Sequence, residues 1–362
     1  MQLVAMGAQD VFLTGNPQIT FFKVVYRRHT NFSKEAIKQE WSGSGNRKTC
    51  TLSRNGDLVQ EIYMTHASGQ ANTLANVLTV EVEIGGQKID KHYNTWLDIY
   101  DELFEENADL KAAICTSTNG DGYIPLRFWF NRNPGLALPL IALQYHEVKI
   151  VAEFTDGAKC GGLLVNYVYL DTDERRRFAQ VSHEYLIEQV QHTGSESVKV
   201  GSQSITLTYN HPVKAIFWKG LTDAADTGVA SYTAKLQLNG HDRASEQSNT
   251  YFTGVQPYEC GLRHVGNVSG RVTSTATTPA ATDKVGAFAL TTANAGMYSF
   301  CLKPAEHQPS GSCNFSRIDN ARLVMTTVKG TGTMGAQTLD IFALNYNVLR
   351  IMSGMGGLTY SN

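Results

Sequence analysis

The chain has 362 residues, 42% hydrophobic and 18% charged, which is enough apolar material for two cores under a surface with less charge than soluble proteins usually carry. With 31 Lys and Arg against 33 Asp and Glu the net charge is −2, which argues against a basic face that wraps nucleic acid, so direct genome packaging is not expected. No apolar run reaches the roughly 18 residues of a membrane span, and Met1-Gln2-Leu3-Val4 lacks the basic and apolar regions of a signal peptide, so the product is expected to be made in the cytosol and to stay soluble.

Strand signals dominate. Residues 18–26 and 62–65 read as strands. Residues 78–84 alternate without a break, Leu78, Val80, Val82 and Ile84 on one side and Thr79, Glu81 and Glu83 on the other. A helix follows, with Trp96, Ile99, Tyr100, Leu103 and Phe104 at helical spacing, an acidic face from Asp98 to Glu106 expected in solvent, and Thr95 with Asp98 as a capping box. Strands at 126–130, 145–154 and 163–170 lead to a short helix over 171–180 that carries Arg175, Arg176 and Arg177. Further strands are expected at 183–191, 204–209, 215–219, 297–302, 322–327 and 338–351. The dipeptides Asn55-Gly56, Gly85-Gly86, Asn119-Gly120 and Asn239-Gly240 supply positive φ for tight turns. Residues 220–231 and 270–287 read as exposed polar loops, and 354–357 as a flexible tail.

The pattern occurs twice. Asn55, Leu58 and Ile62 match Asn210, Val213 and Phe217; the strand from Leu78 into Gly86 matches that from Tyr232 into Gly240; and Asn94-Thr95-Trp96 matches Asn249-Thr250-Tyr251. Leu126, Phe128 and Phe130 then match Tyr298, Phe300 and Leu302 after an 18-residue expansion of the second copy. Lys149-Ile150-Val151 matches Arg322-Leu323-Val324, and Val165-Asn166-Tyr167 matches Leu344-Asn345-Tyr346. Units this long are whole domains, not solenoid repeats.

Catalytic and metal patterns are missing: the ten histidines show no HxH or HExxH spacing, and there is no G-x-S-x-G elbow or P-loop. Cys50, Cys115, Cys160, Cys260, Cys301 and Cys313 read as reduced, mostly buried thiols, with a Cys301–Cys313 bridge as the alternative. Arg175, Arg176 and Arg177 follow Asp171, Asp173 and Glu174, which favours interdomain or intersubunit ion pairs over binding of a phosphate or lipid headgroup. Of the sequons at Asn31, Asn267 and Asn314, Asn267 beside the polar loop is the candidate for glycosylation.

The stretches GAQDVFLTGNPQITFFK at 7–23, YRRHTNF at 26–32, IGGQKIDKHY at 84–93, PGLALPLIALQYHEV at 134–148, PSGSCNFSRIDN at 309–320 and NYNVLRIMSG at 345–354 closely resemble the major capsid proteins of nucleocytoplasmic large DNA viruses, algal viruses above all. The resemblance implies an all-β chain of two consecutive eight-stranded antiparallel jelly-roll sandwiches with a few short helices in loops. It implies an inward-facing segment at 1–20, a first roll at 21–170, a connector at 171–180 and a second roll at 181–362. It implies homotrimeric, pseudo-hexagonal capsomers tiling an icosahedral shell in the virion, assembled in the host cytoplasm. The expected partners are neighbouring capsomers, minor capsid and penton proteins and the internal viral membrane, with no cofactor and no enzymatic activity. The 18-residue excess should then give each capsomer three taller corners. A carbohydrate-binding double sandwich is the second reading, since jelly rolls also serve lectins.

Overall fold

Alternating apolar residues bounded by Gly and Asn turns fold this chain into two sandwiches with one shared topology. The computed structural model describes residues 7–66, 76–105, 114–115, 122–155, 160–221, 229–243, 245–262, 294–329 and 337–360. The first half runs α1 (Asp10–Thr14), β1 (Phe32–Gln39), β2 (Arg47–Thr51), β3 (Leu58–His66), β4 (Val77–Ile84), β5 (Gln87–Tyr93), α2 (Asn94–Leu103), β6 (Tyr123–Pro125), α3 (Trp129–Arg132), β7 (Leu138–Pro139), β8 (Val148–Phe154) and β9 (Cys160–Leu170). After α4 (Thr172–Gln180) come β10 (His183–Val198), β11 (Gly201–Thr206), β12 (Pro212–Lys219), β13 (Val229–Leu238), β14 (His241–Asp242) and β15 (Gln247–Ser248). A π-helical turn (Tyr251–Val255) then runs into α5 (Gln256–Glu259), followed by β16 (Gly296–Ser299), β17 (Cys313–Asn314), β18 (Ala321–Lys329), β19 (Gln337–Met352) and β20 (Met355–Leu358).

The two halves repeat one strand order. Sheets β1-β9-β3-β6 and β2-β8-β4-β5 form the first sandwich, and β10-β19-β12-β16 and β11-β18-β13-β14 the second, all antiparallel. The short strands β7, β15, β17 and β20 lie beside these paths. Each sandwich closes on its own core, Val59, Ile62, Val82, Ile150 and Tyr167 in the first and Ile216, Trp218, Tyr232, Leu236 and Leu323 in the second. Burial of each such side chain contributes about 1.5–3 kcal/mol. The Trp218 indole N–H donates to the Tyr232 hydroxyl at 3.2 Å, so the second core buries two large polar-tipped rings with that donor satisfied. The hairpins β4–β5 and β13–β14 turn at Gly85-Gly86 (φ 59° and 81°) and Asn239-Gly240 (φ 52° and 79°), both residues left-handed as a two-residue type I′ turn requires.

Several expectations change. Residues 18–26 join no sheet; from residue 7 to 31 the chain is exposed throughout and only α1 is regular. The strand expected at 126–130 stops at Pro125, because Phe128, Trp129 and Phe130 turn into α3, where the Asn131 side chain accepts the Phe128 N–H at 3.2 Å. Leu78 is exposed, since a bulge between Val77 and Thr79 puts Val77 inside in its place. Glu81, expected in solvent, is buried under Lys88 and Lys91 at 3.1 and 2.9 Å. Asn55 and Gly56 lack positive φ, and Asn119-Gly120 lies outside the described residues. Residues 354–357 are not a loose tail: Ser353-Gly354 turns the chain (φ 52° and 80°) and β20 pairs with the end of β19. Cys301 and Cys313 are free thiols.

The sequence register also slips by one residue in two strands. Ile62, Val165 and Tyr167 point into the first core, whereas Phe217 and Leu344, matched to two of them in sequence, face outward into a cluster between the sandwiches. A one-residue slip exchanges faces. β12 and the middle of β19 are buried on both faces, so their apolar runs lack the alternation that would have fixed the register.

Gly85 and Gly86 separate backbone from packing effects. At Gly86 an added Cβ meets nothing within 4 Å, while at Gly85 it would overlap the His146 ring. Gly86→Ala is expected to cost about 1–2 kcal/mol from the left-handed backbone alone. Gly85→Ala should cost clearly more in the same denaturation experiment; equal losses would mean that the His146 contact is unimportant.

Candidate functional site

A third buried cluster, with hydrogen bonds and ion pairs around it, lies along the seam between the two sandwiches. α2 of the first half lays Trp96, Ile99 and Leu103 on Ala215, Phe217, Phe342 and Leu344 on the outer face of β12 and β19. The Trp96 ring sits 5.5 Å from Phe217 and 5.8 Å from Phe342, in edge and tilted geometries that favour aromatic contact. In return Ile187, Leu349 and Ile351 of the second half are buried in the first core. The hairpin at β20 closes the seam from the other side: Tyr145 N–H donates to Gly354 O at 3.0 Å, and the His146 Nδ1 lies 3.0 Å from Gly356 O.

Polar groups follow the same line. The α2 acidic face, expected in solvent, grips the second half instead: Lys219 Nζ is 2.6 Å from Asp98 and 2.8 Å from Glu102, whose other oxygen accepts Asn294 and the Ala295 N–H, each at 3.0 Å. Thr95 caps nothing; its hydroxyl donates 2.9 Å to Asp340. Asp90 accepts the Val190 N–H at 3.0 Å, and Gln189 donates to the Ile89 carbonyl. Deeper in the seam Glu188 is held by Arg132 at 2.9 Å and by Lys214 at 2.6 Å, and Lys214, 1% exposed, also donates 2.8 Å to the Glu306 carbonyl. A cavity of about 350 Å³ beside Arg132 and Glu188 is lined by Tyr100, Trp129 and His307; burial pushes the His307 pKa down.

The residues singled out from sequence lie away from this line. Arg175, Arg176 and Arg177 are all exposed on α4; Arg175 pairs with buried Asp57 of the first half at 3.0 Å, and Arg177 with Glu174 and Phe178 edges a cleft of about 420 Å³. Asn267 lies outside the described residues. The seam residues were missed because each reads alone as ordinary core or surface; the doubly apolar run of β12 was the signal available. Among the described residues no group of His, Cys, Asp and Glu is arranged to hold a metal, and no helix is long and apolar enough to cross a membrane.

A chain of two sandwiches with one strand order has known counterparts. Residues 20–172 match the family described as major capsid protein N-terminus, and residues 174–264 and 289–357 match large eukaryotic DNA virus major capsid protein. The chain belongs to the major capsid proteins of large eukaryotic DNA viruses. It is 50% identical to the major capsid protein of Pyramimonas orientalis virus and 42% identical to that of Paramecium bursaria Chlorella virus 1, each alignment covering all of this chain and 99% of the relative. Those alignments extend over 404 and 457 positions, so both relatives carry segments that this shorter chain lacks. In three dimensions it is similar to PBCV-1 VP54, with a TM-score of 0.76 and 37% identity over 95% of this chain and 100% of that one. The Faustovirus major capsid protein, at 10% identity and a TM-score of 0.67, shares the fold. The double jelly roll expected from the resemblance is therefore the fold, and this major capsid protein is a structural component of the virion capsid.

The seam generates two predictions. Glu188→Ala leaves Arg132 and Lys214 without their carboxylate and should cost about 3–5 kcal/mol. Thermal unfolding of Glu188→Ala should therefore fall well below that of Glu35→Ala, whose side chain lies on an exposed strand; similar midpoints would show the cluster to be inert. Asp340 carries the pH dependence, its pKa held below the usual 3.8 first by His192, 3.4 Å away, and further by Ser195 and Thr95. A carboxylate depressed in the folded state stabilises fully above its unfolded pKa and loses that contribution as pH falls through the folded one. Wild type should lose more stability than Asp340→Asn on acidification from about pH 5 to 3, since the depressed carboxylate is protonated in that range. Parallel pH profiles in calorimetry would remove Asp340 from the account.

Proposed function

We propose that three copies of this chain close into a pseudo-hexagonal capsomer and that such capsomers tile an icosahedral shell. The observation that carries this reading is the pair of sandwiches with one strand order locked side by side by a buried seam. Three such pairs supply six similar sandwiches around an axis, which is what a lattice of six-fold positions needs from a three-fold assembly. The division into a first roll at 21–170, a connector at 171–180 and a second roll at 181–362 belongs to this reading, as do assembly in the host cytoplasm and the absence of enzymatic activity. So does the inward course of the N-terminal segment at 1–20, which forms one exposed arm with the stretch up to β1; along it Phe12, Phe21, Phe22 and Tyr26 are 86–98% exposed. A monomer rarely leaves so much apolar surface in water, so the arm is covered by other components of the particle, minor capsid proteins or the inner membrane. Arg176 and Arg177, exposed beside the arm's exit, are free to take part in the same contacts.

Sedimentation of the purified protein at micromolar concentration is expected to give a species of three 39.8 kDa chains. Deleting residues 1–31 should leave its melting temperature within about 2 °C, since none of the described arm residues is buried, while lowering the yield of closed particles. A strictly monomeric protein, or a particle map assigning the capsomers to another chain, would overturn the proposal.

A further inference from the structure

The internal duplication carries an intramolecular contact whose second counterpart has no equivalent among the described residues. In the first sandwich, the segment after β5 forms α2, which buries Leu97 and lays Trp96, Ile99, Tyr100 and Leu103 against the second sandwich. The corresponding segment after β14 and β15 is the π-helical turn and α5, aligned by Asn94-Thr95-Trp96 with Asn249-Thr250-Tyr251. There Phe252, the counterpart of Leu97, packs on Trp218 at 5.2 Å in its own core. Val255 and Tyr258, the counterparts of Tyr100 and Leu103, point into solvent at 40% and 84% exposure. Tyr251, the counterpart of Trp96, packs against its own core and Gly254 replaces Ile99, so only the Val255 and Tyr258 part of the face used in the first copy is exposed in the second.

The receiving surface is duplicated too. α2 docks on the outer face of the sheet β10-β19-β12-β16, and the equivalent face in the first sandwich is that of β1-β9-β3-β6. Its core side is marked by Ile37, Ile62, Met64, Leu163 and Val165, so strand alternation turns Ala36, Tyr63 and Leu164 outward. Among the described residues no helix lies on them as α2 lies on Phe217: β1 is exposed along almost its whole length, and Tyr63, with the Tyr123 ring 6.4 Å away, and Leu164 are half-buried. Charge agrees with the pairing. α2 brings Asp98 and Glu102 to Lys219; α5 carries exposed Glu259, and the edge strand β1 carries exposed Lys34 and Lys38, held within the chain by Gln60 and Glu40 and flanking Glu35.

We infer that Val255, Tyr258 and Glu259 of one copy dock on the outer face of β1, β9 and β3 of the next copy, repeating between chains part of the contact that α2 makes within one. This rests on the trimer reading and specifies its interface. The contact is heterologous, helix to sheet, and a heterologous contact closes into a ring when its rotation matches the symmetry. Three internal seams and three such external ones then alternate around the axis. The external surface, built on Tyr63, Leu164 and Lys38 where the internal one has Phe217, Phe342 and His192, is the more polar of the two. That suits an interface between chains that fold first and associate afterwards.

The test is sedimentation velocity on full-length variants, with thermal unfolding as the check on folding. Tyr258→Glu should convert trimer to monomer without lowering the melting temperature of the monomer, because the side chain is 84% exposed. Val200→Glu, at an exposed apolar position in the turn between β10 and β11, should stay trimeric. Glu259→Lys should weaken the trimer at least tenfold, and Lys38→Glu added to it should restore most of the loss. In parallel, a short bismaleimide should link chains carrying both Ala36→Cys and Tyr258→Cys into a covalent ladder ending at three, beyond whatever the native cysteines give. If wild type is trimeric yet Tyr258→Glu also stays trimeric and the double-cysteine protein does not cross-link, this interface is wrong while the trimer stands. If wild type is itself monomeric, the trimer reading fails first.

Discussion

Trp96 is 1% exposed although it sits on a helix that leaves its own sandwich, because Phe217 and Phe342 of the other sandwich close over it. That contact constrains the rest of the molecule. It gives β12 and β19 a second buried face, which is why these strands are apolar on both sides and why Phe342 and Leu344 are not lost to solvent. It also ties the orientation of one sandwich to the other through contacts that both halves share. A shell subunit needs that tie, since a hinge would spread lattice contacts over many geometries.

The apolar plug is reinforced by charge that would be costly if misplaced. Glu188 and Lys214 are nearly inaccessible, and each is tolerable only because Arg132 and the Glu306 carbonyl complete their coordination. Such a cluster adds little net stability over an apolar equivalent, but it penalises any other docking of the two sandwiches, which would strand a buried charge. The completion is mutual: Ile187, Leu349 and Ile351 finish the first core, and the β20 hairpin rests on Leu143 and His146.

The fold was largely legible where local chemistry decides. The type I′ turns at Gly85-Gly86 and Asn239-Gly240, the strands flanking them and the helix from Trp96 to Leu103 follow from residue type and spacing. Misreadings gathered where tertiary context overrode the local signal. The acidic face of α2 looked solvated because acids opposite an apolar stripe usually are, yet Lys219 from a distant strand neutralises it. Thr95 and Asp98 had capping-box spacing, yet each found a partner in the second sandwich. The glycine-rich end looked mobile, and pairing with β19 gave its backbone a ladder.

By itself the sequence determined that this is a doubled β chain with two cores, without a catalytic or metal-binding pattern, and that its whole length resembles large DNA virus capsid proteins. These properties reside in periodicity, turn residues and motif order, all of which are local or additive along the chain. Only the tertiary structure decided which faces meet: that α2 serves the neighbouring sandwich as well as its own, that β12 is covered twice, and that Val255 and Tyr258 of the matching segment after β15 are left exposed. Contacts between residues more than a hundred positions apart depend on loop closure and on competition between surfaces, and an alternating pattern records that a face is buried without recording what buries it.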